Sequence, residues 1–194
     1  MKRKIRMMIL GLMCSILLFG CGQQIHMRVD WAFDVNSFPE RCANADYIIV
    51  GKVSKKLGSS NEHGIIYTNY RVEVIENLKG ELRQDKPIEI AKWGGTTGIP
   101  RKAQLCENDI LPVVDGTYIF FITAQPDGSN LTSGPNSTLP LDDTATNTKF
   151  TTRRSPEFDN LSYEEKIQEI KDAIEMNVPA VMKPSISNDD VSKK

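Results

Sequence analysis

Histidine is nearly absent: the 194 residues contain two, His26 and His63. No catalytic triad, phosphate-cradling P-loop, dinucleotide fingerprint or HExxH run is recognisable, so the sequence offers no enzyme site. The same scarcity leaves a zinc centre unsupported, since neither histidine has a cysteine at ligand spacing, and no metal or cofactor is expected. Also missing is an apolar run of the ~20 residues that a membrane-spanning helix needs. The uncharged stretch Met7–Gly20 is too short. An excess of basic charge is missing as well: 24 Lys and Arg face 25 Asp and Glu. Without a basic face, nucleic acid is not an expected partner.

What is present begins at the N-terminus. Lys2, Arg3, Lys4 and Arg6 form a basic n-region that stays at the anionic cytoplasmic face of the membrane. Met7–Gly20 follows as the h-region of an export signal covering residues 1–20. The signal ends Leu18-Phe19-Gly20-Cys21, which resembles the lipobox of bacterial lipoproteins. There, a branched apolar residue stands three before the cysteine and a small one directly before it. Phe19 is bulkier than the usual occupant. The resemblance implies a diacylglyceryl group on the Cys21 sulfur and cleavage before it. The small Gly20 lets the backbone enter the peptidase, and an N-acyl chain would add a second anchor to the first. The mature protein would then be extracytoplasmic and lipid-anchored to the cell membrane. The alternatives are an ordinary secretory signal, or an uncleaved anchor with a buried cysteine. Gly22 carries no acidic retention signal.

Losing the four n-region cations lowers the formal charge from −1 to −5 and leaves residues 21–194, enough for one domain of ordinary size. Cys14 leaves with the signal, so Cys42 and Cys106 remain beside Cys21. An even pair outside the cytoplasm reads as a disulfide closing a loop of about 64 residues, worth ~4 kcal/mol in the chain-entropy model. Two free buried thiols are the other reading.

Residues 21–40 read as a tether, with Trp31 and Phe33 packing on the domain edge. The domain spans 41–178. Its first strand is Asp46–Val53, with Gly51 marking a bulge or bend. Lys55–Gly64 reads as a polar loop. Ile66–Ile75 alternates with period two, putting Ile66, Thr68, Tyr70, Val72 and Val74 on one face. Asn77–Glu81 closes it, and Pro87–Trp93 is a third strand in which Ile88, Ile90 and Lys92 share one side. Gly94–Gly98 reads as a flexible loop and residues 99–115 as irregular. Thr117–Ile122 is apolar enough to be buried on both faces. The turn Asp127–Asn130 leads to a short strand at Leu131-Thr132. Residues 133–157 read as a surface excursion. Ser162 and Glu165 form a capping-box pattern that opens a helix with Ile167, Ile170 and Ile174 on one stripe. Residues 179–194 read as a disordered tail.

Short strands, non-helical connections and one late helix predict a mainly β fold: a small OB-like five-stranded barrel with a C-terminal helix packed on it. The run from Cys42 through Asp46 to Val53, the Tyr-containing strand from Tyr67 to Val74, and Leu78-Lys79-Gly80 resemble the netrin-like module. They look in particular like the N-terminal domain of tissue inhibitors of metalloproteinases, over residues 38–125. That resemblance implies the fold. The inhibitory wedge does not carry over, because those inhibitors chelate zinc through a free N-terminal cysteine, whereas Cys21 would be acylated and Cys42 lies inside the chain.

Trp93, Gly94 and Gly95 are the candidate binding surface. The glycine-rich amides could cradle an anion or simply make a hairpin, and Trp31 and Trp93 could line a patch or pack on the barrel. Asp127, Asp142, Asp143 and Asp159 lack EF-hand spacing and read as solvated carboxylates. The expected function is a non-enzymatic envelope lipoprotein presenting an OB-like module to an extracytoplasmic protein, peptide or glycan. Alternatives are a protease inhibitor or modulator, by fold analogy alone, and a hydrolase with an unrecognised site. Cys21→Ala should abolish incorporation of labelled palmitate and leave the chain unprocessed; normal acylation of the mutant would refute the lipobox reading.

Overall fold

A computed structural model describes residues 23–27, 29–98, 102–107, 109–146 and 156–181. The signal segment 1–20, Cys21 and the tail from residue 182 lie outside the described residues. The elements run β1 (Gln23–Met27), α1 (Phe38–Ala43), β2 (Tyr47–Glu62), β3 (Ile65–Lys79), β4 (Ile88–Trp93), β5 (Gly95–Thr97), β6 (Lys102–Cys106), β7 (Thr117–Ala124), β8 (Asn130–Thr132), β9 (Thr138–Pro140), α2 (Asp143–Thr146), α3 (Pro156–Asp159) and α4 (Tyr163–Glu175). The fold is mainly β with a C-terminal helix, as the strand pattern predicts.

Strands β2, β3, β4, β8 and β7 follow one another as hydrogen-bonded neighbours, and β7 pairs back onto β2 from Tyr47↔Ile122 to Lys52↔Thr117, closing a ring of five. Apolar residues fill both sides of that ring. Inward from it lie Ile49, Val53, Tyr70, Val72, Ile88, Ile90, Tyr118, Phe120 and Ile122. On the other side Ile48, Val50, Ile119 and Phe121 meet Ile167, Ile170 and Ala173 of α4. Strands β2 and β7 thus serve two cores, which is why Thr117–Ile122 carries almost no polar residue. The ladder between β2 and β3 shifts register between Val50 and Gly51. A Cβ on Gly51 would stand 2.5 Å from Val72 Cγ1, so the bulge expected there is also a point of close strand contact.

Helix α4 begins as the capping box requires: Glu165 N–H donates to Ser162 Oγ (3.3 Å) and Ser162 N–H to Glu165 Oε2 (2.8 Å). Lys79 explains the Leu78-Lys79-Gly80 turn. Its ammonium donates to the carbonyls of Cys42 (2.7 Å), Ala43 (3.3 Å) and Ala45 (2.6 Å), so a cation from β3 covers the carbonyl end of α1.

Several segments expected to be irregular are ordered. Gln23–Met27, inside the expected tether, pairs in parallel with β6, and β5 pairs with the other edge of β6 to make a second, three-stranded sheet. Later in that segment Phe33 and Val35 are buried and Ser37 caps α1. Lys55–Glu62 continues β2 along β3 to a two-residue turn in which His63 (φ 51°) and Gly64 (φ 86°) both take the left-handed conformations of a primed hairpin turn. This arm is wet over most of its length, so no alternation betrays it. Within 133–157, Thr138–Pro140 pairs with β7 and buries Leu139. Val181 N–H, in the expected tail, donates to Asn44 Oδ1 at 2.9 Å.

The expected disulfide is not formed: Cys42 and Cys106 are both free and buried. Cys42 belongs to the helix-side core, with its sulfur 4.0 Å from Ile170 O, whereas Cys106 ends β6 in the second sheet. Burial pushes the Cys42 thiol up to about 12 and that of Cys106 up to about 11, with nearby Asp109 adding to the latter. Both are therefore protonated and unreactive at pH 8 in the folded protein. Unfolding in guanidinium without reductant should expose both to alkylation; mass spectrometry finding neither alkylated would overturn the free-thiol assignment.

Candidate functional site

Two sites arise from the alternation of β4. Its inward positions are Ile88, Ile90 and Lys92, so the third places an ammonium where the first two place hydrocarbon. Lys92 is fully buried and donates to both carboxylate oxygens of Asp109 (2.7 and 2.8 Å), to Ser137 Oγ (2.6 Å) and to Gly134 O (3.4 Å). Asp109 also accepts from the Ile110 N–H at 2.8 Å. Burial drives the Lys92 ammonium's pKa down and that of the Asp109 carboxyl up, each against the pull of its partner. Arg41, on α1, is buried nearby and donates to Ser133 O (3.3 Å) and to Pro135 O, while its guanidinium lies over the rings of Phe33 and Trp31. Burial lowers its pKa to about 10, and Asp109 opposes the shift. Two cations thus hold residues 133–137, and Asp109 balances the charge of Lys92 beside them.

A serine hydroxyl on a lysine is also the pairing of a nucleophile with its base. Here Ser137 and Lys92 are 0% exposed and Asp109 is 2% exposed. Ser137 Oγ donates to Gly134 O at 2.7 Å while accepting from Lys92. No solvent-reaching substrate can meet this hydroxyl, and the cluster is a structural one.

The second site lies on the outward side of β4. There Glu89 and Ala91 stand beside Tyr67 and Asn69 of β3, in the register Tyr67↔Trp93 and Asn69↔Ala91. The connection from β7 to β8 forms the opposite wall. Its turn is fixed by Gln125 N–H to Ser129 O (2.9 Å), Gly128 N–H to Gln125 O (2.9 Å) and Ser129 N–H to Asp127 Oδ1 (2.8 Å). Between these walls lies an open cleft of about 630 Å³, within the usual range for ligand sites. Glu62, Glu89 and Asp127 line it, with Gln125 and Asn130, and none of the lining residues is Lys, Arg or His. Arg71 approaches Glu89 from outside at 3.3 Å, both side chains being well exposed, so the pair is weak. The Tyr67 phenol is held above its ordinary pKa, first by partial burial and then by the charge of Glu62.

The expected surface of Trp93, Gly94 and Gly95 is placed differently. Gly94 and Gly95 are buried. Gly94 N–H donates to Ile66 O (2.7 Å), and Gly94 O accepts from Thr68 Oγ1 (2.7 Å). A Cβ on Gly95 would collide with Thr68 Oγ1. These glycines let β5 cross close over β3, and their amides face protein. Trp93 is half-buried, edge-on to Trp31 at 6.1 Å, and its indole N–H has no partner among the described residues. Asp142 accepts from the N–H groups of Thr117 (2.9 Å) and Ala145 (2.7 Å). Among the described residues no three His, Cys, Asp or Glu side chains converge to hold a metal ion. Sequence reasoning missed the cleft because Tyr67, Asn69 and Glu89 are ordinary outward positions until the β7–β8 turn is folded against them. The inward placement of Lys92 is the one signal of the buried cluster visible in the alternation.

Removing one partner of the buried pair leaves the other charge uncompensated. Lys92→Met or Asp109→Leu alone should lower stability by about 3–5 kcal/mol, and the double variant should cost less than either. Urea unfolding of the three variants checks this; additive losses would show that the charges are not coupled.

No protein-family model matches this chain, and no curated protein is significantly similar to it.

Proposed function

We propose that this chain is a bacterial envelope lipoprotein, held to the membrane by lipid on Cys21, whose OB-like barrel presents the cleft beside β4 to an extracytoplasmic partner. The observation that carries the reading is the cleft itself. It is open, sized for a ligand, and walled by a turn closed by its own hydrogen bonds. The closed five-stranded ring with a helix packed on one side supports the OB-like assignment. The place of β1 supports the anchored geometry. Gln23 follows Cys21 by two residues, at most about 7 Å of extended chain. A lipid on Cys21 would therefore hold the three-stranded sheet close to the bilayer, with Ile25, 45% exposed, beside it. The binding role asks no chemistry of the sealed Ser137–Lys92 contact.

The test is photo-crosslinking in intact cells. A benzophenone side chain at Tyr67, in the acylated full-length protein, should give one discrete adduct. The same group at Ile75, exposed on β3 but not lining the cleft, should give none. Equal labelling from the two positions, or none from Tyr67, would sink the reading.

A further inference from the structure

We propose that the cleft takes an extended, basic peptide segment of a partner protein, added as a strand to the open edge of β4; this rests on the cleft being the binding site. Four consecutive residues of β4, Ile88 to Ala91, border the cleft. Ile88 and Ile90 turn their side chains into the core, where they are 7% and 1% exposed. The main-chain groups of Ile88 and Ile90 turn toward β3, and it is Glu89 between them whose N–H and C=O face the cleft edge. Strand β3 covers one edge of β4 along its whole length, from Val72↔Ile88 to Tyr67↔Trp93. On the other edge, β8 pairs only at Ala91 and Lys92. Ile88–Ile90 therefore has no strand partner on the cleft side among the described residues.

Asn130 Nδ2 donates to Glu89 O at 3.2 Å, so this carbonyl faces the cleft wall. In an extended strand the N–H and C=O of one residue point to the same side, so the Glu89 N–H does too. The Asn130 amide stands where the N–H of an added strand would stand. Such addition draws affinity from main-chain hydrogen bonds and selectivity from side chains along the groove. Here the groove is lined by Glu62, Glu89 and Asp127 and by no Lys, Arg or His; Arg71 pairs only weakly with Glu89 from outside, so the lining stays acidic, repels acidic segments and attracts lysine or arginine. An oligosaccharide could use Tyr67 and the amides, but it would leave the strand edge unused.

The experiment uses the full-length protein in detergent and fluorescence anisotropy of a labelled nonapeptide alternating lysine with valine. Saturable binding is expected. It should weaken by about tenfold or more when glutamate replaces the lysines, when alternate backbone nitrogens of the peptide are methylated, and in the Glu89→Lys protein. Hydrogen exchange of the Glu89 amide should slow on saturation with the peptide. Binding that tolerates N-methylation would mean charge attraction alone and overturns the strand addition, as does no binding up to about 1 mM. Binding of N-acetylglucosamine oligomers in place of the peptide overturns the peptide assignment while leaving the binding-module reading intact. Failure of the Tyr67 cross-link is the separate result that removes that reading.

Discussion

Lys92 carries its charge on the inward face of β4, where the neighbouring inward positions hold isoleucine, and Asp109 meets it with both carboxylate oxygens. An ammonium placed there alone would be expelled or neutralised, because its desolvation costs several kcal/mol. The carboxylate, the Ser137 hydroxyl and the Gly134 carbonyl replace its water. Meeting that demand fixes three remote segments at once: β4, the chain after β6, and residues 133–137. Arg41 extends the arrangement to α1 through the carbonyls of Ser133 and Pro135. The polar stretch 133–137 is thereby drawn into the interior and delivers β9 to β7.

The rest of the architecture is a matter of sharing two strands between two cores. Alternation along β2 and β7 sends Ile49 and Phe120 into the ring and Ile48 and Phe121 toward α4. Lys79 then links the ring to α1, and Lys171 links α4 back to Glu76 of β3 at 2.8 Å. The first link is half-buried, with three carbonyls on one ammonium; the second is a surface pair of small worth.

The cleft follows from the same constraints. Lys92 holds β4 in place at the end where β8 joins it, and the ring is tight there. Toward Ile88 the neighbouring strand has already turned away through Gln125–Asn130, leaving a strand edge beside carboxylates. Edges of this kind are usually blunted against unwanted pairing. Here Glu89 places a charge beside the edge and the Asn130 amide occupies its carbonyl, which leaves the Glu89 N–H as the main-chain group of that residue facing the cleft.

By itself the sequence determined the elements whose period is visible. Alternation over Ile66–Ile75 marked β3, the unbroken apolar run marked β7, and Ser162 with Glu165 marked the start of α4, because each pattern reflects a local backbone preference reinforced by one buried face. Lys92 fell in the right register for the same reason. Tertiary structure alone decided the strand β1, the outer arm of β2, and β9. They are too short or too solvated to show a period, and they are ordered by ladder hydrogen bonds with β6, β3 and β7 respectively. It also decided that Cys42 and Cys106 stay free, one in the helix-side core and the other at the end of β6, since an even cysteine count says nothing of where each sulfur is buried. The cleft belongs to this second group: Tyr67, Asn69 and Glu89 become one wall of a cleft only when the turn at Asp127 folds against them, and no local pattern encodes that meeting.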